Sequence, residues 1–475
     1  MRSEVDVVVI GAGPAGMAAA VAAAGAGAGV VVLDEQVEPG GQIYRAIESV
    51  ERNRPADLSF LGDAYVHGST VAGAFRAVRT DYRPASTVWQ VGDLGKGKRR
   101  DVVYSRNGAA ETLSVKHLVI ATGALERPVP IPGWTLPGVM TVGAVQSALK
   151  TSGIYPTGNL VLAGSGPLML QLAVQLITAH VPIAAIVDTT PPGGLSRAFF
   201  HLPRALAAGE TLLKGWRMLR TVNRSGVPIY RGASHLQAHG SKQTRGEKVT
   251  SLSFRSQGTD YAIDADVVAL HEGVTPNTQL TRLLQAEHRW DDRQRCFHPL
   301  TNQWGETSEP GVYVAGDGGG IAGSLAAERS GMITGLAVAQ SLGLLAEAAR
   351  DFISEEQRMR RFIDLSIRPF LDSYYPAPNW IGKVGDDVIL CRCEEVTAGQ
   401  LRAAMAHGCS GPNQAKSFLR CGMGACQGRM CAASVTEVMA ATSGATPDAV
   451  GSFRIRPPIK PVTLAEVAAL EQGVL

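Results

Sequence analysis

Six of the seven cysteines lie between Cys391 and Cys431. They are spaced as Cys391-Arg-Cys393 and, beyond Cys409, as Cys421-Gly-Met-Gly-Ala-Cys426-Gln-Gly-Arg-Met-Cys431. Thiolates are soft ligands, and four of them suit an iron–sulfur cluster or a structural zinc ion. A secreted disulfide scaffold would spread its cysteines through the fold. One dense group in a long chain reads instead as a metal site in a reducing compartment. Five residues of regular helix turn through about 500°. Cys426 and Cys431 therefore cannot share a helix face, and at least one lies in the Gly-Met-Gly loop or at an irregular turn. Cys421 competes as a ligand. Cys409 follows the helix-ending Gly408 and reads as an extra thiol. Cys296, alone outside the group, reads as a packing residue.

The second chemistry is nucleotide binding. Gly11-Ala12-Gly13-Pro14-Ala15-Gly16 follows an apolar run and opens an Ala-rich one. Gly11 permits a tight turn, Gly13 lets backbone approach a pyrophosphate, and Gly16 lets helix and strand pack closely. The helix N-terminus then offers free N–H groups and a positive dipole to phosphates. Asp34 stands where an acid accepts hydrogen bonds from a ribose 2′-OH, with Glu35 as the neighbouring alternative. The fingerprint alone does not separate FAD from NAD. A second, weaker fingerprint has Gly164 and Gly166, but Met169 occupies the third position and Asp188 the acid position. NAD(P), another nucleotide or no nucleotide at all fits that pattern. No nucleophile–base pair stands out, so catalytic residues stay unassigned. His271 and Glu272 near a strand end read as structural.

These residues need elements to position them. Residues 5–10 read as a buried parallel strand, followed by a helix to about Ala24 and a strand over 29–34. Residues 112–123 end in another apolar strand, and the Pro/Gly-rich stretch 130–138 reads as a connection. A second βαβ pattern starts at Asn159. Segment 191–228 is patterned as helix and carries Arg197, Arg204, Lys214, Arg217, Arg220 and Arg224 against one acid, Glu210. It reads as a partner-docking element or as a solvated face. Strands return at 267–270 and 312–316, and long helices are expected from about Gly323 and over 347–368. Residues 374–380 read as a linker. Thr397 and Gln400 have the spacing of a capping box.

Composition sets the limits. The chain has 475 residues, about three domains' worth, with 45% hydrophobic and 18% charged residues. A net charge of +3 does not call for nucleic acid or an anionic membrane as partner. Val5 to Leu33 carries one charge, Asp6, but its glycines and Pro14 fall at nucleotide-fold positions, and no basic region precedes it. A transmembrane segment or signal peptide is therefore not expected.

With these motifs in order, the chain resembles the two-dinucleotide-domain flavoproteins of the glutathione and thioredoxin reductase class. Gly40-Gly41-Gln42, Ala121-Thr122-Gly123 and Gly316-Asp317 match elements that follow the FAD fingerprint in that class. The resemblance implies FAD held by Gly11, Gly13, Pro14, Ala15, Gly16, Asp34 or Glu35, Gly41, Gln42, Ala121, Thr122, Gly123, Gly316 and Asp317. It does not extend to disulfide reduction, since no cysteine precedes Cys296. Residues 388–445 resemble the bacterioferritin-associated-ferredoxin type of [2Fe–2S] domain. The run 419–431 and the stretch 34–45 are similar to the α subunit of opine oxidases, hydroxyproline dehydrogenases and hydrogen cyanide synthase. By that resemblance the ligands are Cys391, Cys393, Cys426 and Cys431, with Cys421 as the alternative.

The expected fold is α/β: two Rossmann-like dinucleotide-binding domains, one for FAD and one NAD(P)-like, plus a small helical [2Fe–2S] domain. The expected division is 1–150 and 276–380 for the FAD part and its linker, and 151–275 for the second fold with its basic insertion 191–228. The cluster domain takes 388–445, and a tail takes 446–475. The resemblance implies an FAD-dependent oxidoreductase acting on CH–NH or CH–NH2 donors as part of a complex. An amine-oxidase-like FAD β subunit would carry the substrate site, with room for a small γ subunit. The expected location is cytoplasmic, with loose association to the inner face of the membrane through the electron acceptor. Two other readings stay open: a stand-alone NAD(P)H-dependent reductase, and a non-catalytic redox or assembly subunit.

Overall fold

The computed structural model describes residues 3–92, 99–243 and 246–471. Strands Ser3–Ile10, Val30–Leu33 and Ala109–Ile120 lie parallel at the centre of a seven-stranded sheet. Their Val/Ile/Leu runs are buried on both faces, as a parallel sheet covered on both sides requires. Arg100–Arg106 and Ser86–Gly92 extend the sheet antiparallel. The strand Val312–Val314 returns from far along the chain and pairs with Ala109–Ile120.

Helix Pro14–Gly25 crosses the long helix Ser324–Ser341 at close range. Small residues make this possible. A Cβ on Gly331 would lie 2.0 Å from Ala15 O, and one on Gly335 would lie 2.4 Å from Ala19 O. The crossing brings the Gly11–Gly16 turn against Gly316-Asp317.

A second sheet of five parallel strands runs in the order Ile229–Arg231, Ala185–Asp188, Leu160–Ser165, Val267–Glu272, Val139–Thr141. The strand Val139–Thr141 thus belongs to this sheet. A three-stranded antiparallel sheet from Ser234 to Asp264 covers it. The apolar periodicity there is too broken by polar residues to announce three strands. Segment 191–228 is helical, ending in Gly209–Arg224, and Glu347–Ser366 is a 20-residue helix.

The cysteine module is mainly helical, with helices Ala398–Ala406, Pro412–Leu419 and Ala432–Ser443. The capping box at Thr397 and Gln400 is present in both directions. Val435, Val438 and Phe453 share one buried cluster with Leu118, Ile120 and Val314 of the first sheet. Trp134 Nε1 donates to Ile389 O at 2.8 Å. Arg295 meets the buried Glu437 carboxylate at 2.6 Å. No helix among the described residues is long and apolar enough to cross a membrane.

Candidate functional site

The first fingerprint folds as a tight turn between strand and helix. Gly16 is required by contact: its Cβ would lie 1.8 Å from Gly11 O. The Gly40-Gly41 loop closes over the turn, and Gly40 N donates to Ala12 O at 2.8 Å. Gly41 has φ of +61°, and a Cβ there would lie 2.8 Å from Gly13 Cα. These are local demands of backbone approach, which is why the glycines are visible in the sequence.

A cavity of about 620 Å3 opens along this turn. Gly11, Gly13, Pro14, Ala15, Asp34, Glu35, Gly41, Gln42, Ala121, Thr122, Gly123 and Asp317 all line it. Gly16 and Gly316 stand behind the wall as packing residues; a Cβ on Gly316 would lie 2.7 Å from Ala15 Cβ. Asp34 is buried and accepts from Gln36 N at 2.6 Å and from Ala12 N. Burial raises its pKa above the usual carboxylate range. Glu35 is more exposed and pairs with Lys460. Asp317 Oδ1 accepts from Ala322 N at 2.9 Å and Gly323 N at 3.1 Å.

The wall is fitted to a large polar ligand. Arg45 Nε, Asn277 Oδ1 and Gln279 Oε1 are buried without hydrogen-bond partners, and all three residues line the cavity. Buried polar atoms without partners are costly unless a ligand or water supplies them. With a phosphate-ready helix N-terminus beside them, the donor and acceptor set suits a dinucleotide such as FAD.

Sequence reasoning missed three parts of this wall. Ile459 and Lys460 reach it from the C-terminal segment, where Ile459 N donates to Trp89 O at 2.8 Å. Arg429 reaches it from the cysteine module. Lys150 also lines it, fully buried, and donates to Gln42 O, Ile43 O and Gln146 Oε1 at 3.0–3.1 Å. Burial pushes the Lys150 ammonium down to about 7. A lone lysine at the end of an amphipathic helix gives no sequence signal for such a place.

The cysteines gather as well. The sulfurs of Cys391, Cys421 and Cys431 lie within 4.8 Å of one another. Cys393 and Cys426 hydrogen-bond to each other beside them. Cys421 and Cys431 donate toward Cys391 and hold its thiol far below the ordinary range. Cys426 lies in the irregular loop, and Cys431 is the N-cap of helix Ala432–Ser443. Neither is inside a helix, which removes the facing problem posed by their spacing. A Cβ on Gly424 would lie 2.3 Å from Cys393 Cβ, so the glycine-rich loop is moulded around the thiols. This soft, closely set donor group fits a small metal cluster. Cys409 stands apart, with its Sγ 3.6 Å from Gly411 O, and Cys296 is buried in packing.

The two sites meet. Arg429, in the loop between Cys426 and Cys431, lines the nucleotide cavity and donates to Cys426 O at 3.0 Å. Gln279, from the cavity wall, donates to Gln427 O at 3.2 Å.

Around the second fingerprint the neighbouring strand and a buried carboxyl pack closely. A Cβ on Gly164 would lie 1.7 Å from His271 O. The buried Glu272 carboxyl accepts from Thr189 Oγ1 at 2.7 Å and Ser165 Oγ at 3.3 Å. Burial raises its pKa. Met169 is buried in the core. His271 pairs through Nδ1 with Glu126 at 2.6 Å.

The sequence matches the pyridine nucleotide-disulphide oxidoreductase family over residues 5–331 and the sarcosine oxidase A3 domain over residues 389–471. It is 45% identical to the A subunit of opine oxidase from Rhizobium meliloti, over 99% of this chain and 88% of that protein. It is 32% identical to the HcnB subunit of hydrogen cyanide synthase from Pseudomonas aeruginosa, over 96% of each. Among solved structures, L-proline dehydrogenase from P. horikoshii superposes with a TM-score of 0.71 at 19% identity, covering 98% of this chain and 80% of that one. At that identity the likeness speaks for the fold alone. The chain belongs to the pyridine nucleotide-disulphide oxidoreductase family and, within it, to the family of the opine oxidase A subunits.

Proposed function

We propose that the chain is the electron-handling subunit of a heteromeric flavin and iron–sulfur dehydrogenase that oxidises a C–N bond in an amino acid or opine. The observation that carries the reading is the contact between the two sites: Arg429 and Gln427, in the loop between Cys426 and Cys431, touch the dinucleotide cavity and its wall. FAD bound there would accept a hydride, and a [2Fe–2S] cluster would take single electrons, which turns a two-electron oxidation into one-electron transfer.

In this reading the Gly11–Gly16 turn and the helix behind it hold the pyrophosphate. Asp34 or Glu35 holds the ribose, and Asp317 faces the flavin side of the cofactor. Cys391, Cys393, Cys426 and Cys431 hold the cluster, with Cys421 as the alternative. The FAD part comprises 1–150 and 276–380, except that strand Val139–Thr141 joins the sheet of the second nucleotide fold 151–275; the cluster domain is 388–445 and the tail 446–475. The relatives are named as subunits, one of an oxidase and one of a synthase, which supports a companion chain. A companion of the amine-oxidase type, with its own FAD and the substrate site, completes the enzyme.

A stand-alone NAD(P)H-dependent reductase is the second reading, favoured by Gly164 and Gly166 in an all-parallel sheet. Glu272 opposes it, because a carboxyl group beside that turn disfavours a pyrophosphate. Anaerobic mixing of the purified chain with NADH and then NADPH tests both. We expect no fast loss of flavin absorbance, with dithionite still reducing flavin and cluster. Fast bleaching would move the assignment to the reductase.

A further inference from the structure

Large apolar side chains exposed on this protein are concentrated in two short segments. Of 24 among the described residues, 11 fall within residues 195–216 and 352–363. Phe199, Phe200, Leu206 and Trp216 stand out from the first segment, and Phe352, Met359 and Phe362 from helix Glu347–Ser366. Phe200 is 87% exposed and Phe352 80%. The two segments form one surface. Ala205, Ala208 and Ile367 pack in a small shared core beneath it, and the Arg204 guanidinium lies 5.7 Å above the Phe362 ring. A hollow between Gly194, Leu195 and Phe199 gives the surface a concave point. Exposed apolar groups concentrated on two packed segments in this way mark an interaction site.

Its charges indicate what covers it. Arg204, Arg217, Arg220 and Arg224 have no ion-pair partner among the described residues, two of them lie over the aromatic rings of Phe362 and Trp216, and one acid, Glu210, stands in the same segment. The acids of the neighbouring helix are largely taken: Arg360 pairs with Glu356, Arg329 with Asp364, and Arg350 with Glu347 and Asp351. A second copy of this chain would bring cations onto cations. An anionic lipid surface would suit the arginines. It is negative throughout and would also face Glu355, exposed in the same patch and without an ion-pair partner among the described residues, whereas a protein rim can set its acids opposite the arginines alone.

We infer that this surface, formed by residues 195–224 and the outer face of helix Glu347–Ser366, docks the companion chain through an apolar face rimmed with acidic side chains. The inference rests on the heteromeric reading above and adds where the partner binds. Aromatic anchors flanked by arginine are the usual energetic centre of such interfaces.

The test purifies tagged full-length chain from its native cells and identifies any stoichiometric companion by mass. Phe200→Asp and Phe362→Asp are compared with wild type and with Val37→Asp, an exposed apolar site elsewhere. Flavin absorbance of each variant reports that the fold is intact. The expected result is a companion retained by wild type and Val37→Asp, with association weakened at least about tenfold in both patch variants. Cross-links from the companion are expected to fall in 195–224 and 347–366. A complex that survives both substitutions overturns the docking surface and leaves the heteromeric reading standing. A wild-type chain that is strictly solitary overturns that reading and this inference with it. A particle containing two copies of this chain alone, or loss of binding to phosphatidylglycerol vesicles with the companion retained, also overturns it.

Discussion

The side-chain amide of Gln279 donates to the backbone carbonyl of Gln427 at 3.2 Å. One of these residues belongs to the wall of the dinucleotide cavity, and the other lies between two cysteines of the cluster loop. The oxygen of the same Gln279 amide is buried without a partner, so this side chain is placed between both sites. Gln279→Ala is expected to leave iron content unchanged and, in protein saturated with flavin, to slow electron equilibration between the two centres several-fold. Stopped-flow reduction, followed at flavin and cluster wavelengths, checks this; unchanged kinetics would remove Gln279 from the path.

Gly16→Ala should abolish cofactor retention. Its Cβ would sit 1.8 Å from Gly11 O, and backbone on both sides cannot yield without opening the turn. Overpacking of this kind costs about 1–3 kcal/mol. The purified variant is expected to be colourless in the flavin band and to melt at a lower temperature than wild-type apoprotein.

The cysteine assignment is checked by iron content. Serine at Cys391, Cys393, Cys426 or Cys431 should each remove the cluster and its visible absorbance. Cys409→Ser should not, since Cys409 bonds to Gly411 O. Cys421→Ser is expected to keep the iron and shift the spectrum, because its sulfur lies against Cys391 and Cys431. Iron lost from Cys421→Ser but kept by Cys426→Ser would exchange those two ligands.

Lys150 makes stability depend on alkaline pH. Its ammonium ordinarily titrates near 10.5, and burial lowers this to about 7. The folded state therefore binds fewer protons than the unfolded state between these values, so stability rises with pH across that window. Below about 7 the cost of burying the charge is felt in full. The expected gain across the window is of the order of a few kcal/mol for apoprotein. Lys150→Met should flatten the trend, as read by thermal denaturation at several pH values.

Glu437 locks the cysteine module to the flavoprotein body. Its buried carboxylate meets Arg295 at 2.6 Å and lies 4.0 Å from the fully buried Arg127. Glu437→Ala would leave the buried Arg127 without its nearest carboxylate and the half-buried Arg295 without its partner, at a cost of about 3–5 kcal/mol. Denaturant titration should show the loss. A change within experimental error would mean that Arg127 is held by its bonds to the Glu272, Gln294 and Arg295 carbonyls.

Much of the nucleotide site is legible in the sequence because its demands are local. A turn that tolerates no Cβ must be glycine, and a strand buried on both faces must be apolar. The metal-ligand spacing of the cysteines is equally plain. Which sulfurs approach one another is not, since that depends on the path of a loop bent by Gly422, Gly424 and Gly428. Lys150, Arg429 and Lys460 are invisible for a related reason: each reaches the cavity from a distant stretch whose own pattern is ordinary. Segment 191–228 reads as helical and basic, and it is helical in the structure. The exposure of its Phe199, Phe200 and Trp216 is hidden because apolar residues at helical spacing normally face inward.

The pairing of Lys460 with Glu35 spans 425 residues. During synthesis the first βαβ unit leaves the ribosome early. At about 5–20 residues per second, roughly 20–85 s pass before residue 460 is made. Until then one wall of the cavity is missing, and the nascent chain holds a fingerprint without its far side. A chain truncated before its last segment would therefore carry an open pocket, and it is expected to hold a cofactor less tightly than the full chain.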